Sequence, residues 1–573
     1  MFIKKIIGIT NYRNLSNVEF EFDDEINFIV GENNIGKTNL IKMINKIVSV
    51  GKFTENDFNN IKSSIEIIFQ IECSKDEIGF FENTFDIDDE HTITITAYQE
   101  DVDSRIEYCH TESGSYINPK TIKMLNFVYY SSLRQPNTEL DFTRKKGSGK
   151  VLNYIMNKSL KSKDLTEIDL INKNEIHKVV DEVNSKFSKL NGLPNENIET
   201  YLSDDKENII NRLLEIGDTN GRKLSHLGDG LQYSFNIFLN ILGLLVHLKT
   251  TKKEEEYKSL LIEGDNGNKY LSLIIGLDEP EIHQHPYRQR ALIRSIREIM
   301  NNKNDSFIDI LKDLFDIDGF IGQVIVVTHS PNILLDDYKQ IIRIFDEGNS
   351  ISATSGSILD FEDDIHKHLK RSFMYFKEAM FSKSVILVEG DTEFGAVPVF
   401  AEKMNYDLDA MGVGVIKLDG ADGVLKYLEL FNAFNINAIA ILDKDKEDTY
   451  KTNKNIIFTA KEDFEEEIME MFLFREYLHY LLCINEYGFL ISLLRKKIDE
   501  FNIKKFCENP IDYRIPKEIE KEIMLEIKDN EIKKMRKLKN AINGSLLAKF
   551  AKDVPDSFKE VIITAVSEGD LND

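Results

Sequence analysis

Residues 26–48 read INFIV (26–30), GENNIGKT (31–38) and NLIKMINKIV (39–48). The first segment is a short apolar β-type run, and the last has apolar residues at helical spacing. A glycine loop therefore joins a strand to a helix, which is the context a phosphate-binding loop requires. Gly31 and Gly36 let backbone N–H groups turn inward, and the new helix adds its positive N-terminal end. Lys37 is placed to reach β/γ-phosphates, and the Thr38 hydroxyl to hold Mg²⁺. Asn33 and Asn34 in the loop and Asn39 just behind it complete the candidate nucleotide-binding set.

Working outward, 573 residues with 42% hydrophobic content suffice for two or three domains with cores of their own. No run of eighteen or more apolar residues occurs, so no bilayer span and no membrane partner are expected. The opening MFIKKIIGITNYRN turns polar at Asn11, Arg13 and Asn14 and reads as a first strand, not a signal. Cys73, Cys109, Cys483 and Cys507 are scattered, which points to a reduced, cytoplasmic location without disulfides or a zinc site. A net charge of -26 argues against a general polyanion binder. Local basic runs still allow DNA as a partner: Arg144–Lys150, His366–Arg371, Arg495–Lys497 and Lys533–Lys539.

Three later segments say which kind of nucleotide site this is. Leu271–Leu277 is a buried-strand pattern that ends in Asp278-Glu279, followed by Pro280-Glu281-Ile-His-Gln-His285-Pro286. Asp278 suits the Mg²⁺ shell, and Glu279 suits polarising an attacking water. Val324–Val327 is a second such strand, ending in Thr328-His329, where open parallel sheets bind their ligands. His329 is thereby a candidate γ-phosphate sensor. Gly228, Asp229 and Gly230 open a helix and form a second anion-binding cap.

This order of motifs resembles the ABC-type ATPase heads of the SMC and RecF type. The resemblance implies that Gly228–Gly230 completes the nucleotide site of a second head, that His285-Pro286 is a D-loop, and that Tyr129–Pro136, with Gln135, holds the Q-loop place. The segment from about 145 to 222 is polar and helical without sustained heptads. That excludes a long coiled-coil arm and suits a dimerisation element, within an ATPase domain over 1–375.

The pattern restarts near residue 380. Strand Ser384–Val388 ends in Glu389-Gly390-Asp391-Thr392-Glu393; strand Val413–Ile416 is followed by Asp419-Gly420. Strand Ala438–Leu442 ends in Asp443-Lys444-Asp445, and Asn455–Phe458 precedes Glu462-Asp463-Phe464-Glu465. This is a small parallel α/β unit with an acidic group past each strand. Two carboxylates 4 Å apart repel by about 4 kcal/mol at an effective dielectric of 20, so protons or a hard cation such as Mg²⁺ or Mn²⁺ must share the site. Soluble acidic loops are the bland alternative. An EF-hand fails here, because Asp448 and Lys454 stand where glycine and glutamate are needed.

The set Glu389-Gly390-x-x-Glu393, Gly420, Asp443-x-Asp445 resembles a TOPRIM domain. Joined to the ATPase head, it is similar to the OLD (overcoming lysogenization defect) family of ATPase–TOPRIM nucleases, which includes Gabija-type and retron-associated antiphage nucleases. The resemblance implies metal ligands at Glu389, Glu393, Asp443, Asp445, Asp463 and Glu465, and a phosphate-stabilising lysine near the C-terminus, for which Lys539 is favoured among Lys533–Lys539 and Lys549. It divides the second half into a nuclease core over 376–475 and C-terminal helices over 476–573. It implies an ATP-regulated, Mg²⁺- or Mn²⁺-dependent DNA endonuclease in antiphage defence. The expected partners are DNA, a homodimer or higher oligomer, and a helicase or a retron reverse transcriptase with its RNA–DNA product. The competing reading is a nucleotide-sensing scaffold whose acidic domain is structural.

Overall fold

A computed structural model describes residues 1–573 apart from 82–83, 132–139, 141–146, 164–172, 191–197, 203–213, 225–227, 265–266, 336, 349, 362–374, 419 and 568–573. Two compact units make up the chain, Met1–Leu359 and Asp360–Asp573. Both are α/β.

In the first unit, strand Ile26–Gly31 is buried at every position, as a strand covered on both faces should be. It sits inside a seven-stranded sheet. Parallel to it on one side lies Gly319–Val327, then Lys269–Asp278 and Phe127–Tyr130; on the other side lies Ile341–Asp346. Leu261–Glu263 and Ile351–Ser355 are antiparallel edges. Helix Lys37–Val48 buries Leu40, Ile41, Ile44, Ile47 and Val48. These residues join a core shared with a five-stranded antiparallel sheet that contains Phe2–Thr10, Ile65–Glu72 and Thr92–Gln99. The strand expected at the N-terminus is therefore present, and the head combines a parallel and an antiparallel sheet.

Two differences from the sequence reading stand out. The segment from 145 to 222 is helical over Ser148–Ser162 and Lys173–Phe187, but it also forms an antiparallel pair, Ile198–Leu202 with Leu214–Asp218. The Asp218 carboxylate organises the turn after the second strand by accepting the N–H groups of Asn220 and Arg222. Short β-branched stretches inside a polar insertion carry too weak a period to show this beforehand. Second, helix Asp229–Thr251 contains a window of mean hydropathy 1.4, long and apolar enough to cross a membrane, although 72% of that window is buried within the protein. A helix that is apolar all round is satisfied equally well by a protein core.

The second unit holds a four-stranded parallel sheet in the order Val413–Lys417, Ser384–Val388, Asn437–Leu442, Ile456–Phe458. The chain leaves the second of these strands to one side and returns on the other. The crevice at that switch is where open α/β sheets bind ligands. Helix Asp391–Lys403 packs against the C-terminal helix Ala541–Phe550 at glycines on both partners. A Cβ on Gly395 would lie 1.8 Å from the Ala541 carbonyl oxygen, and one on Gly544 would lie 1.8 Å from that of Thr392. The backbones touch, and the chain entering the second helix, at Lys539 and Asn540, is pinned beside the first.

Gly544→Val should therefore separate the helix pair and cost about 1–3 kcal/mol or more from overpacking. Urea unfolding of the full chain should show a lower midpoint, whereas Gly488→Ala, whose Cβ would meet nothing within 4 Å, should leave it near wild type.

Candidate functional site

The first site is assembled at the C-terminal ends of the parallel strands. Gly31, with φ +135, lies so close to the neighbouring strand that a Cβ would fall 2.1 Å from the Ile344 carbonyl oxygen. Gly36 caps helix Lys37–Val48 in the left-handed region, with φ 112. Both conformations favour glycine. The Lys37 ammonium curls over the loop and donates to the Gly31 carbonyl at 2.9 Å and to that of Glu32. Burial lowers its pKa to about 8, against the pull of Glu279, Glu32 and Glu281.

The Thr38 hydroxyl donates to Asp278 Oδ1 at 3.1 Å, and the Tyr129 hydroxyl donates to Asp278 Oδ2 at 3.0 Å. Burial nevertheless holds the Asp278 carboxyl above the usual range. Glu279 follows with φ 51, unusual for a non-glycine residue, and its N–H donates to the Val327 carbonyl at 2.9 Å. That turn lifts its carboxylate toward His329, whose Nε2 lies 3.4 Å from Glu279 Oε1. Burial, then Lys37, lowers the His329 pKa.

Glu281 ties the two strand ends together. Its Oε1 accepts the Thr328 hydroxyl at 2.8 Å and the His329 N–H at 2.7 Å. It is a positioning residue to which sequence reasoning gives no role; Tyr129, expected only as the start of the Q-loop segment, is another.

Other expected nucleotide contacts fall differently. Asn33 and Asn34 are exposed. Asn39 is held by neighbours: its Oδ1 accepts from Arg13 at 2.6 Å, and its amide donates to Asn14 Oδ1 at 2.8 Å. Gly228 is the N-cap of helix Asp229–Thr251. Gly230 lies against the His283 backbone, where a Cβ would meet the carbonyl oxygen at 2.8 Å. His285 caps helix Pro286–Met300. The Asp229 side chain, Gln135, Asp419 and the run 366–371 lie outside the described residues.

The second site lies at the crevice of the four-stranded sheet. Glu389 follows its strand directly, and its Oε2 accepts the Asp443 N–H at 3.3 Å. Gly420 donates its N–H to the Glu389 carbonyl at 3.2 Å. Glu393, one turn into the following helix, is buried. Burial first, then Glu465, raises its pKa to about 7. Asp443 is pushed to about 8 by burial, then by Glu393 and Glu389.

The Glu465 side chain is fully buried, and neither of its oxygens has a hydrogen-bond partner. Lys539 Nζ lies 3.5 Å from Glu465 Oε2, too long for a good hydrogen bond. Glu465, Glu393 and Asp443 together keep the Lys539 pKa above its ordinary value despite burial. Burial also holds the Glu465 carboxyl above its usual range; three acidic side chains raised in this way, one of them without donors, suit a hard cation.

Two expected ligands are less central. Asp445 is exposed and paired with Lys446 at 3.0 Å. Asp463 caps helix Phe464–Glu470 by accepting the Glu466 N–H at 2.9 Å, and its other oxygen accepts from Arg536 Nε. Arg536 also donates to Glu462 at 3.2 Å. That guanidinium was visible beforehand only as one charge in a basic run.

The two sites define a class: a protein that joins a nucleotide-hydrolysing head to an acidic phosphodiesterase-type α/β core. Comparison with known proteins agrees. An AAA ATPase domain family matches residues 81–334, and the TOPRIM domain family of overcoming-lysogenization-defect-like proteins matches residues 380–445. The chain is 23% identical to Endonuclease GajA of Bacillus cereus (strain HuB5-5) over 551 residues, 85% of this chain and 74% of that one. It is 25% identical to the Old nuclease of Escherichia phage P2 over 232 residues, 39% of this chain and 34% of that one. An SMC head bound to the C-winged helix domain of ScpA aligns with TM-score 0.37 and 15% identity, covering 64% of this chain and 99% of that one. The chain thus carries an ATPase domain and a TOPRIM nuclease domain, and it is similar to proteins named Endonuclease GajA and Old nuclease.

The raised carboxyls make a pH prediction. Asp443 ionises near 3.8 when unfolded and near 8 when folded. The folded state's preference for its proton is fully present below pH 3.8 and is lost as pH rises through 8. In EDTA, the second unit should therefore melt at a lower temperature at pH 8.5 than at pH 6 (differences read by calorimetry), and Asp443→Asn should flatten that dependence. Mg²⁺ should raise the wild-type melting temperature most at the higher pH, and the Asn variant's least.

Proposed function

We propose that this protein is an ATP-regulated, divalent-metal-dependent DNA endonuclease of antiphage defence. The observation that carries the reading is the convergence of Glu389, Glu393, Asp443 and Glu465 with Lys539 in one strand-end crevice. The names of the two relatives, an endonuclease and a nuclease, support the same activity. Glu393, Asp443 and Glu465 would hold Mg²⁺ or Mn²⁺, with Glu389, and with Asp445 and Asp463 as outer carboxylates. A divalent cation bound there supplies charge neutralisation and water activation for phosphodiester hydrolysis.

The chain's own residues do the rest. Glu389 takes the Asp443 N–H and so fixes the loop that carries Asp443. Lys539 faces the carboxylates with a full positive charge and stabilises the phosphate's developing negative charge. Arg536 holds Asp463 and Glu462 apart from the buried group.

In the head, Gly31–Thr38 bind ATP with Mg²⁺ held through Thr38 and Asp278. Lys37 exchanges its loop carbonyls for β/γ-phosphate oxygens. Glu279 orients water, and His329, positioned by Glu281, faces the γ-phosphate. A homodimer formed through Gly228–Gly230 and the insertion supplies the second half of each nucleotide site. ATP binding gates cutting, and the fitting surroundings are cytoplasmic, with DNA as substrate and a helicase or a retron reverse transcriptase as partner.

The two chemistries should separate by mutation. Asp443→Ala should reduce plasmid cleavage at least about a hundredfold, with ATP turnover near wild type. Lys37→Ala should abolish ATP binding in calorimetry, since the loop loses its mobile cation, and should change the cleavage rate only through regulation. Plasmid cut by Asp443→Ala at the wild-type rate would place the activity elsewhere.

A further inference from the structure

Helix Lys517–Met535 ends in the run Lys533-Lys534-Met535-Arg536-Lys537-Leu538-Lys539. Its members face two ways. Arg536 and Lys539 turn to the acidic crevice, on Asp463 and Glu465. Lys533, Lys534 and Lys537 line a cavity of about 560 Å³, together with Phe489, Leu493, Ile527 and Asn530. That volume suits a small organic ligand.

The cavity's charge is lopsided once existing ion pairs are counted. Glu531 in its wall accepts the Tyr477 hydroxyl at 2.7 Å and is paired with Lys534 at 2.6 Å. Glu526 is paired with Lys497 at 2.9 Å. The Lys534 ammonium also sits 4.4 Å from the centroid of the Phe489 ring. Among the described residues, Lys533 and Lys537 enter no ion pair, and both are exposed. Two uncommitted cations therefore stand at the rim of an apolar floor with an amide beside it. In a chain of net charge -26, such a concentration of positive charge next to an acidic centre selects a polyanion with an apolar part.

We propose that this cavity seats a nucleotide of the DNA strand flanking the scissile bond, with its phosphates on Lys533 and Lys537 and its base against Leu493 and Ile527. This inference rests on the nuclease reading above and adds to it the path of the strand. The basic run then acts as one device: its inner side serves the reacting phosphate, and its outer side sets the register of the next ones.

The test uses the full chain in EDTA, where cleavage is absent, and the anisotropy of a labelled oligonucleotide across a range of salt. Lys533→Glu with Lys537→Glu should weaken binding at least about tenfold and lower the slope of log affinity against log salt by about two. Both residues are exposed, so folding is not at stake. Leu493→Trp, which fills the floor, should weaken binding with the slope unchanged. With Mg²⁺ or Mn²⁺, the double variant should cut with raised KM and near wild-type kcat, and its ATP turnover should be unaltered. Wild-type affinity and slope in the double variant overturn the inference, as does cleavage at wild-type KM. A wild-type chain that binds DNA with the expected salt slope and never cuts would instead sink the nuclease reading and leave the binding site standing.

Discussion

Parallel hydrogen-bond register is the constraint on which both sites hang. In the head, Asp278 pairs with Val327, Val327 with Ile29, and Gly31 with Ile344. In the second unit, Val388 pairs with Lys417 on one side and Ile441 on the other. Because parallel strands end on one edge, the loops that follow are delivered side by side. A slip of one residue would invert every side chain on a strand and scatter the groups. Buried apolar strands prevent that slip, since the shift would carry Phe28, Ile274 or Ile386 out of their packing.

What the two edges do with this arrangement differs. At the head, most polar groups are paired: Thr38 and Tyr129 serve Asp278, and one oxygen of Glu281 serves Thr328 and His329, while its other oxygen is buried without a partner. Glu281 couples the strand that carries Glu279 to the strand that carries His329, so neither end moves alone. At the second edge, the groups are left in conflict. Burial raises the carboxyls of Glu393, Asp443 and Glu465, and Lys539 is a cation that acts on all three. Such a site is electrostatically unfavourable by itself, and protons or a cation relieve it.

The approach of Lys539 depends on uncharged packing beside the acidic group. Gly395 and Gly544 let two helices meet backbone to backbone. The C-terminal part of the chain is thereby drawn over the sheet formed some hundred residues earlier. The Tyr480 hydroxyl donates to Asn543 at 2.8 Å and fastens the same helix from its other side. Stability and chemistry are thus linked through a contact that contains no charged group.

Much of this was legible in the residues themselves. Gly31–Thr38, Asp278-Glu279, Thr328-His329, Glu389-Gly390 and Asp443 each lie within a few residues of a strong apolar strand, and a strand end with its loop is a local feature that short-range pattern reveals. Tertiary structure alone decided the rest. Thr38 meets Asp278 across 240 positions, and Arg536 reaches Asp463 across 73. No local period encodes such pairs. The commitment of Asp463 to a helix cap and a guanidinium, the holding of Asn39 by Arg13, and the strand pair inside the insertion follow from which surfaces pack together. Sequence announces chemistry where it is written in one loop; the partners of that chemistry are chosen by burial, because only the folded core sets which distant side chains lose their water together.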